Sequence, residues 1–236
     1  MAALSKIITG MIGDIVDFVY PRHCHVCGTP LAPHEEFVCT LCVEHLPRTR
    51  YHVLDFNPME QRFAGLFPFE RATGHFFYSR GSALSQLIQD MKYRQFPGLA
   101  RRLGRVVGEE LYATAFFDGV EMIVPVPIHF MKKARRGYNQ TEQLAAGITA
   151  ATGIPTRCLL RACRPHKTQT SLTLAERRDN TSGIFRLRNP KKLDGRGVVL
   201  LDDVCTTGST LTSAAEAILQ EAPGCRLSLL TLGVTF

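Results

Sequence analysis

The stretch Val198-Val-Leu-Leu-Asp202-Asp203-Val-Cys-Thr206-Thr207-Gly208-Ser209-Thr210 decides how the chain is read. It opens as an apolar run long enough for a buried strand and ends that run in two acids. Four hydroxyl residues then surround Gly208, and a helical pattern starts at Ser209. A strand passing through a glycine turn into a helix offers free backbone N–H groups and the positive end of a helix dipole. In open α/β sheets the carboxyl edge of the strands is also where ligands bind. This arrangement suits a phosphate monoester, and the adjacent acids suit ribose hydroxyls, directly or through magnesium. The alternative for a lone glycine turn after a strand is ordinary α/β packing. Neither G-x-x-x-x-G-K-S/T nor G-x-G-x-x-G occurs, which excludes the other common phosphate loops.

Working outward, the same grammar recurs. Strands are expected at 72–79, 122–126, 157–162, 198–201 and 227–234. Helices are expected from Leu84 to about Arg94, from Gly98 to about Phe117, at 141–152 and at 209–220. Such alternation predicts an α/β fold with a mostly parallel sheet flanked by helices. Residues 48–71 contain proline and aromatics without a clean period and read as a connector. The expected organisation is an amphipathic helix over 1–20, a four-cysteine segment over 21–47, the connector over 48–71 and the α/β domain over 72–236.

Composition agrees with a folded domain. The chain has 236 residues, 45% apolar and 21% charged, which excludes a disordered, collagen-like or coiled-coil chain. Its net charge of +7 is uneven. Between Met122 and Arg196 lie 15 Lys+Arg and four acids, while the remainder is mildly acidic. Arg outnumbers Lys by 21 to 7, and the planar Arg fork suits phosphate oxygens. The basic stretch is either an anion-binding surface or a solvated face.

Cys24-His-Val-Cys27 and Cys39-Thr-Leu-Cys42 have the spacing of a closed tetrahedral site, which predicts structural zinc. Gly28 suits the tight turn of a zinc knuckle. The alternatives are a redox dithiol or unrelated buried cysteines, and His23, His25, His34 and His45 are either substitute ligands or surface residues. In 1–20, Asp14 and Asp17 interrupt the apolar pattern, against a signal peptide or a membrane span. A cytoplasmic chain without stable membrane insertion is the expectation.

At Asp202–Thr210 the chain resembles the phosphoribosyltransferase superfamily, whose motif is an apolar strand, two acids and a threonine–glycine loop. The resemblance implies a type I phosphoribosyltransferase-like fold preceded by a zinc-ribbon-like segment. It also implies that Thr206, Thr207, Gly208, Ser209 and Thr210 hold the 5-phosphate of phosphoribosyl pyrophosphate (PRPP). Asp202 and Asp203 would contact the ribose as the catalytic candidates, with magnesium accompanying PRPP. More of the chain is similar to the ComF or GntX-like family: the four-cysteine knuckle, Lys92-Tyr93, Val124-Pro-Val-Pro-Ile128, Arg136-Gly-Tyr-Asn-Gln140, Gln169 and Glu176-Arg-Arg-Asp-Asn180.

With the 5-phosphate end assigned, a second basic loop is needed for pyrophosphate. Residues 132–137 follow a strand, so Lys133, Arg135, Arg136 and Gly137 are the candidates. Asn139 and Gln140 either orient the pyrophosphate or cap the following helix. Residues 167–180 read as a mobile hood with Gln169, Arg177 and Arg178 as contacts, or as a basic surface loop. Lys92 either reaches the site or covers apolar surface with its stem. No residue names an acceptor. The implied partners are PRPP, single-stranded DNA during natural transformation, and proteins of competence and DNA uptake. The reaction would be phosphoribosyl transfer with release of pyrophosphate. The alternatives are a non-catalytic module that binds single-stranded DNA, or one that docks on a partner, under PRPP control.

Overall fold

A computed structural model describes residues 21–163 and 184–235. The chain divides into two compact units, one ending at Leu46 and the other beginning at Pro47. The helix expected over 1–20 and the hood contacts Gln169, Arg177 and Arg178 lie outside the described residues. The strands are β1 (Ala72–Phe77), β2 (Met122–Pro125), β3 (Leu160–Ala162), β4 (Phe185–Leu187), β5 (Gly197–Cys205) and β6 (Arg226–Val234). The helices are α1 (Thr40–Glu44), α2 (Pro58–Phe63), α3 (Ala83–Tyr93), α4 (Pro97–Tyr112), α5 (Phe130–Arg136), α6 (Gln140–Thr152) and α7 (Ser209–Glu221).

Four parallel strands form the main sheet in the order β1-β6-β5-β2. The expected α/β fold class is therefore observed. β5 and β6 are central and covered on both faces, which is why each reads as a near-continuous apolar run. Val124, Val198, Leu200, Leu227 and Leu229 share one core cluster with Met59 and Phe63 of α2, with Leu211, Ala214, Ala215 and Ile218 of α7, and with β3 and β4. The alternating set Ile123, Val199, Leu201 and Leu230 is equally buried, on the face where α4 and α6 pack. The chain leaves β2 toward α6 on one face and leaves β5 toward α7 on the other. Adjacent strands whose connections diverge in this way open a crevice at their carboxyl ends.

Several elements differ from the sequence reading. The long helix stops at Tyr112, and the Thr114 side chain starts a separate 3₁₀ turn, Ala115–Phe117, that buries Phe116 and Phe117. The strand expected from Arg157 does not extend the main sheet. After the bridge Ile123↔Thr156 the chain departs, and Leu160–Ala162 pairs antiparallel with β4, an element too short to stand out as a pattern. Residues 48–71 are more than a spacer, since Tyr51, Met59 and Phe63 are core residues. α2 there is set by a capping box: Asn57 accepts from the Met59 and Glu60 amides while Glu60 accepts from the Asn57 amide, with Pro58 in the first turn.

α4 and α6 cross at glycines. A Cβ on Gly104 would lie 2.1 Å from the Leu144 carbonyl oxygen, and one on Gly147 would lie 2.1 Å from the Arg101 carbonyl oxygen. Both obstacles are backbone, so neither can rotate aside, and the helices would have to separate. Gly147→Ala is expected to destabilise the chain by about 2–3 kcal/mol, the range of core overpacking. For a domain of this size that is a fall in melting temperature of roughly 4–12 °C, to be read by thermal unfolding. An unchanged melting temperature would contradict the packing described.

Candidate functional site

β5 runs past its apolar residues and carries Asp202 and Asp203 close to its carboxyl end. Alternation along the strand sends the two carboxylates in different directions. Asp203 points toward α3 and the start of α6. Its Oδ2 accepts from Lys92 Nζ at 2.8 Å and from Gln140 Nε2 at 2.8 Å, and its Oδ1 accepts from the Val204 amide at 2.7 Å. Asp202 Oδ1 accepts from the Asp203 amide at 2.8 Å, and Oδ2 has no partner among the described residues.

The two acids differ electrostatically as well. Burial, with the Asp203 charge alongside, pushes Asp202 up to about 8. Burial acts on Asp203 in the same sense, but the Lys92 ammonium and the bonds from Lys92, Gln140 and Val204 outweigh it and hold that carboxyl below its usual range. Lys92 is shifted upward in turn, because Asp203 more than offsets the burial of the ammonium. Lys92 thus turns toward the end of β5 and ion-pairs with Asp203.

Cys205 ends the strand, and residues 206–208 turn into α7 with Gly208 at φ +83° as the N-cap. Thr206 and Thr207 are exposed, and Ser209 and Thr210 are half-buried. Thr207 Oγ1 donates to Ser209 Oγ at 3.1 Å and also accepts from the Ser209 amide. The amides of Thr207 and Gly208 have no acceptor among the described residues. A 13-residue helix with open amides at its start is an anion-binding arrangement.

The basic stretch after β2 is not a loop. Phe130–Arg136 forms α5, begun by the His129 side chain and stopped by Gly137 at φ +80°. Gly137 ends that helix in the left-handed conformation. Lys133 pairs with Glu142 at 3.4 Å, and Arg135 is exposed. Arg136 instead turns inward. Its guanidinium lies 5.4 Å from the Tyr93 ring centre, and Nη1 donates to Gln140 Oε1 at 3.1 Å. Arg136, Gln140, Asp203 and Lys92 thus form one chain of hydrogen bonds across the crevice. Asn139 takes the capping role: Oδ1 accepts from the Thr141 amide and Nδ2 donates to the Val126 carbonyl.

Sequence reasoning missed the residues behind the loop. Arg62 on α2 donates to the Thr206 carbonyl at 2.6 Å and to the Thr235 carbonyl at 2.7 Å, and the Phe63 ring lies against Gly208. The signal was present in Asn57-Pro-Met-Glu60, a helix-start pattern inside the presumed connector.

In the first unit the Sγ atoms of Cys24, Cys27, Cys39 and Cys42 all lie within 4.8 Å of one another, and Cys27 to Cys39 is 3.8 Å. A tetrahedron of ~2.3 Å metal–sulfur bonds has edges of ~3.8 Å, so the four cysteines have the geometry to hold a metal ion. No histidine joins this cluster among the described residues. The turn is tight, with Gly28 at φ +73° donating to the Cys24 carbonyl. Hydrogen bonding with Thr29 holds the Cys27 thiol down at about 6, whereas burial, then the neighbouring thiols, push Cys42 up. Glu35 braces the far side by accepting from the Ala32 and Thr40 amides. No helix among the described residues is long and apolar enough to cross a membrane.

The model of the phosphoribosyl transferase domain matches residues 96–232. Competence protein ComFC of Bacillus subtilis (strain 168) is 30% identical over 211 residues, which cover 89% of this chain and 76% of that protein. Competence protein F of Haemophilus influenzae is 32% identical over 140 residues, covering 57% of this chain and 61% of that one. The DNA utilization protein YhgH of Salmonella typhimurium is 27% identical over 204 residues, covering 84% and 78%. The domain match takes in β2, β5, the acid pair and the loop that follows it, and the ComFC alignment spans most of both chains. On that extent of agreement the chain belongs to the phosphoribosyltransferase-domain family, in its ComF branch.

Proposed function

We propose that the crevice at the carboxyl ends of β5 and β2 binds PRPP, and that the chain serves DNA uptake, a role in keeping with relatives named as competence and DNA utilization proteins. The observation that carries this is the acid pair joined directly to an open-amide loop at the start of α7. In this reading the amides and hydroxyls of residues 206–210 take the 5-phosphate. Asp202, whose Oδ2 has no partner among the described residues, faces the ribose hydroxyls, and Arg136 with Gln140 takes the pyrophosphate end. Carboxylates are hard oxygen donors suited to magnesium, and Asp202 and Asp203 would face an ion that arrives with PRPP and draws charge from its pyrophosphate. Phosphoribosyl transfer at this site breaks the bond from ribose C1 to pyrophosphate and forms one from C1 to the acceptor's nucleophile. The cationic chain from Arg136 to Lys92 would steady the charge on the departing pyrophosphate.

The four-cysteine cluster holds structural zinc in this reading, since a segment of this size has little core of its own and gains its folding free energy from the metal.

A second reading, docking of single-stranded DNA, is favoured by one feature. Arg161 and Arg186 are direct cross-strand partners in the β3–β4 pair, an opposition of like charges that is unfavourable in a bare protein. Together with Arg188 and Phe130, which is 70% exposed, they line an open cavity of about 480 Å³. None of the three arginines has an ion-pair partner among the described residues. Phosphates would relieve that repulsion, and an exposed ring offers a base a stacking surface.

Titration calorimetry tests the first reading: Asp202→Ala and Thr207→Ala are each expected to abolish PRPP binding without unfolding the chain, and unchanged affinity in both would defeat it. Metal analysis should find about one zinc per chain, absent after Cys24→Ser or Cys39→Ser. For DNA, affinity should fall steeply with added salt. Replacing Arg161 and Arg186 with Ala should flatten that slope by about 1 for each phosphate left without its arginine, and salt-insensitive binding would rule the second reading out.

A further inference from the structure

We propose that Arg62 is the positioning residue of the 5-phosphate loop, an inference that rests on the PRPP reading. The capping box at Asn57 and Glu60 fixes where α2 begins, and Met59 and Phe63 anchor it in the core. Arg62 therefore leaves a rigid base. One terminal nitrogen donates to the Thr206 carbonyl at 2.6 Å and to Cys205 Sγ at 3.5 Å, and the other donates to the Thr235 carbonyl at 2.7 Å. A single planar fork thus ties the end of β5, the first residue of the loop and the residue just beyond β6.

The consequence follows from peptide geometry. The carbonyl of Thr206 and the N–H of Thr207 belong to one planar trans unit and point in opposite directions. Drawing the carbonyl toward α2 turns that N–H away from α2, to the side where the Thr207 and Gly208 amides meet no acceptor among the described residues. It also removes a carbonyl dipole that would otherwise be free to face the phosphate. Phe63 blocks the remaining side, because a Cβ on Gly208 would stand 2.9 Å from its ring. The loop is thereby aimed before ligand arrives, which spares the ordering cost at binding. Lysine matches this poorly, since one ammonium nitrogen must replace two guanidinium nitrogens held apart by a planar fork.

The test compares the two ends of the ligand, with ribose 5-phosphate and inorganic pyrophosphate as separate probes in calorimetry. Arg62→Gln is expected to weaken ribose 5-phosphate about tenfold or more, the effect of losing charge-assisted hydrogen bonds, and to leave pyrophosphate within about twofold. Arg62→Lys, the milder variant, should not rescue the loss. Hydrogen exchange of the unliganded chain should show residues 206–210 exchanging at least about tenfold faster in Arg62→Gln, with 198–203 unchanged. Equal weakening at both ends, full rescue by lysine, or unaltered exchange in 206–210 would overturn the role given to Arg62. A wild-type chain that binds neither PRPP nor ribose 5-phosphate would overturn the PRPP reading instead, and the exchange measurement would still decide whether Arg62 holds the loop.

Discussion

A carboxylate buried at the edge of a sheet must be compensated, and the centre of this molecule is organised around compensating Asp203. Its side chain is 9% exposed and receives Lys92 from α3, Gln140 from α6 and a backbone amide from its own strand. Stripping one partner from a buried pair of this kind costs about 3–5 kcal/mol. That penalty fixes where the end of α3 and the start of α6 must sit relative to β5. Arg136 then reaches the same network through Gln140, stacked on Tyr93, the residue beside Lys92. The acid pair is thus unequally engaged: both oxygens of Asp203 accept hydrogen bonds, while Asp202 keeps one oxygen without a partner among the described residues.

The remaining architecture serves the same edge from both sides. On one face the glycine crossing of α4 and α6 brings α6 close enough for its first residue to touch Asp203. On the other face α2 and α7 share a core cluster, so the segment carrying Arg62 and Phe63 stands behind the loop that opens α7. In the proposed reading neither the glycine crossing nor Arg62 is itself a ligand contact. Both decide where the groups that would touch it point.

The basic stretch has more than one use. In α5, Lys133, Arg135 and Arg136 occupy the last helical turn, where cations complement the negative end of the dipole. Of these three, Arg136 joins the network at the acids. Arg161, Arg186 and Arg188 lie on the separate β3–β4 pair or just beyond it and have no ion-pair partner among the described residues. Among the described residues, Arg161, Arg186 and Arg188 gather around one open cavity.

Much was legible in the chain before its fold was known. Alternating apolar runs and helical stripes announced a parallel α/β sheet, because strands covered on both faces must be apolar throughout. Asp202 to Thr210 marked the candidate site because strand, turn and helix start are contiguous there, and local geometry follows from local sequence. The paired Cys-x-x-Cys spacing likewise announced a cluster that the structure brings within 4.8 Å. Contacts between distant segments left no such mark. That Lys92 and Gln140 converge on Asp203 and that Arg62 grips a loop 144 residues away depend on which elements the sheet order makes neighbours. Sequence alone determined the elements and the chemistry each could offer; the tertiary structure decided which side chains meet, because burial and backbone packing act across the sheet and not along the chain.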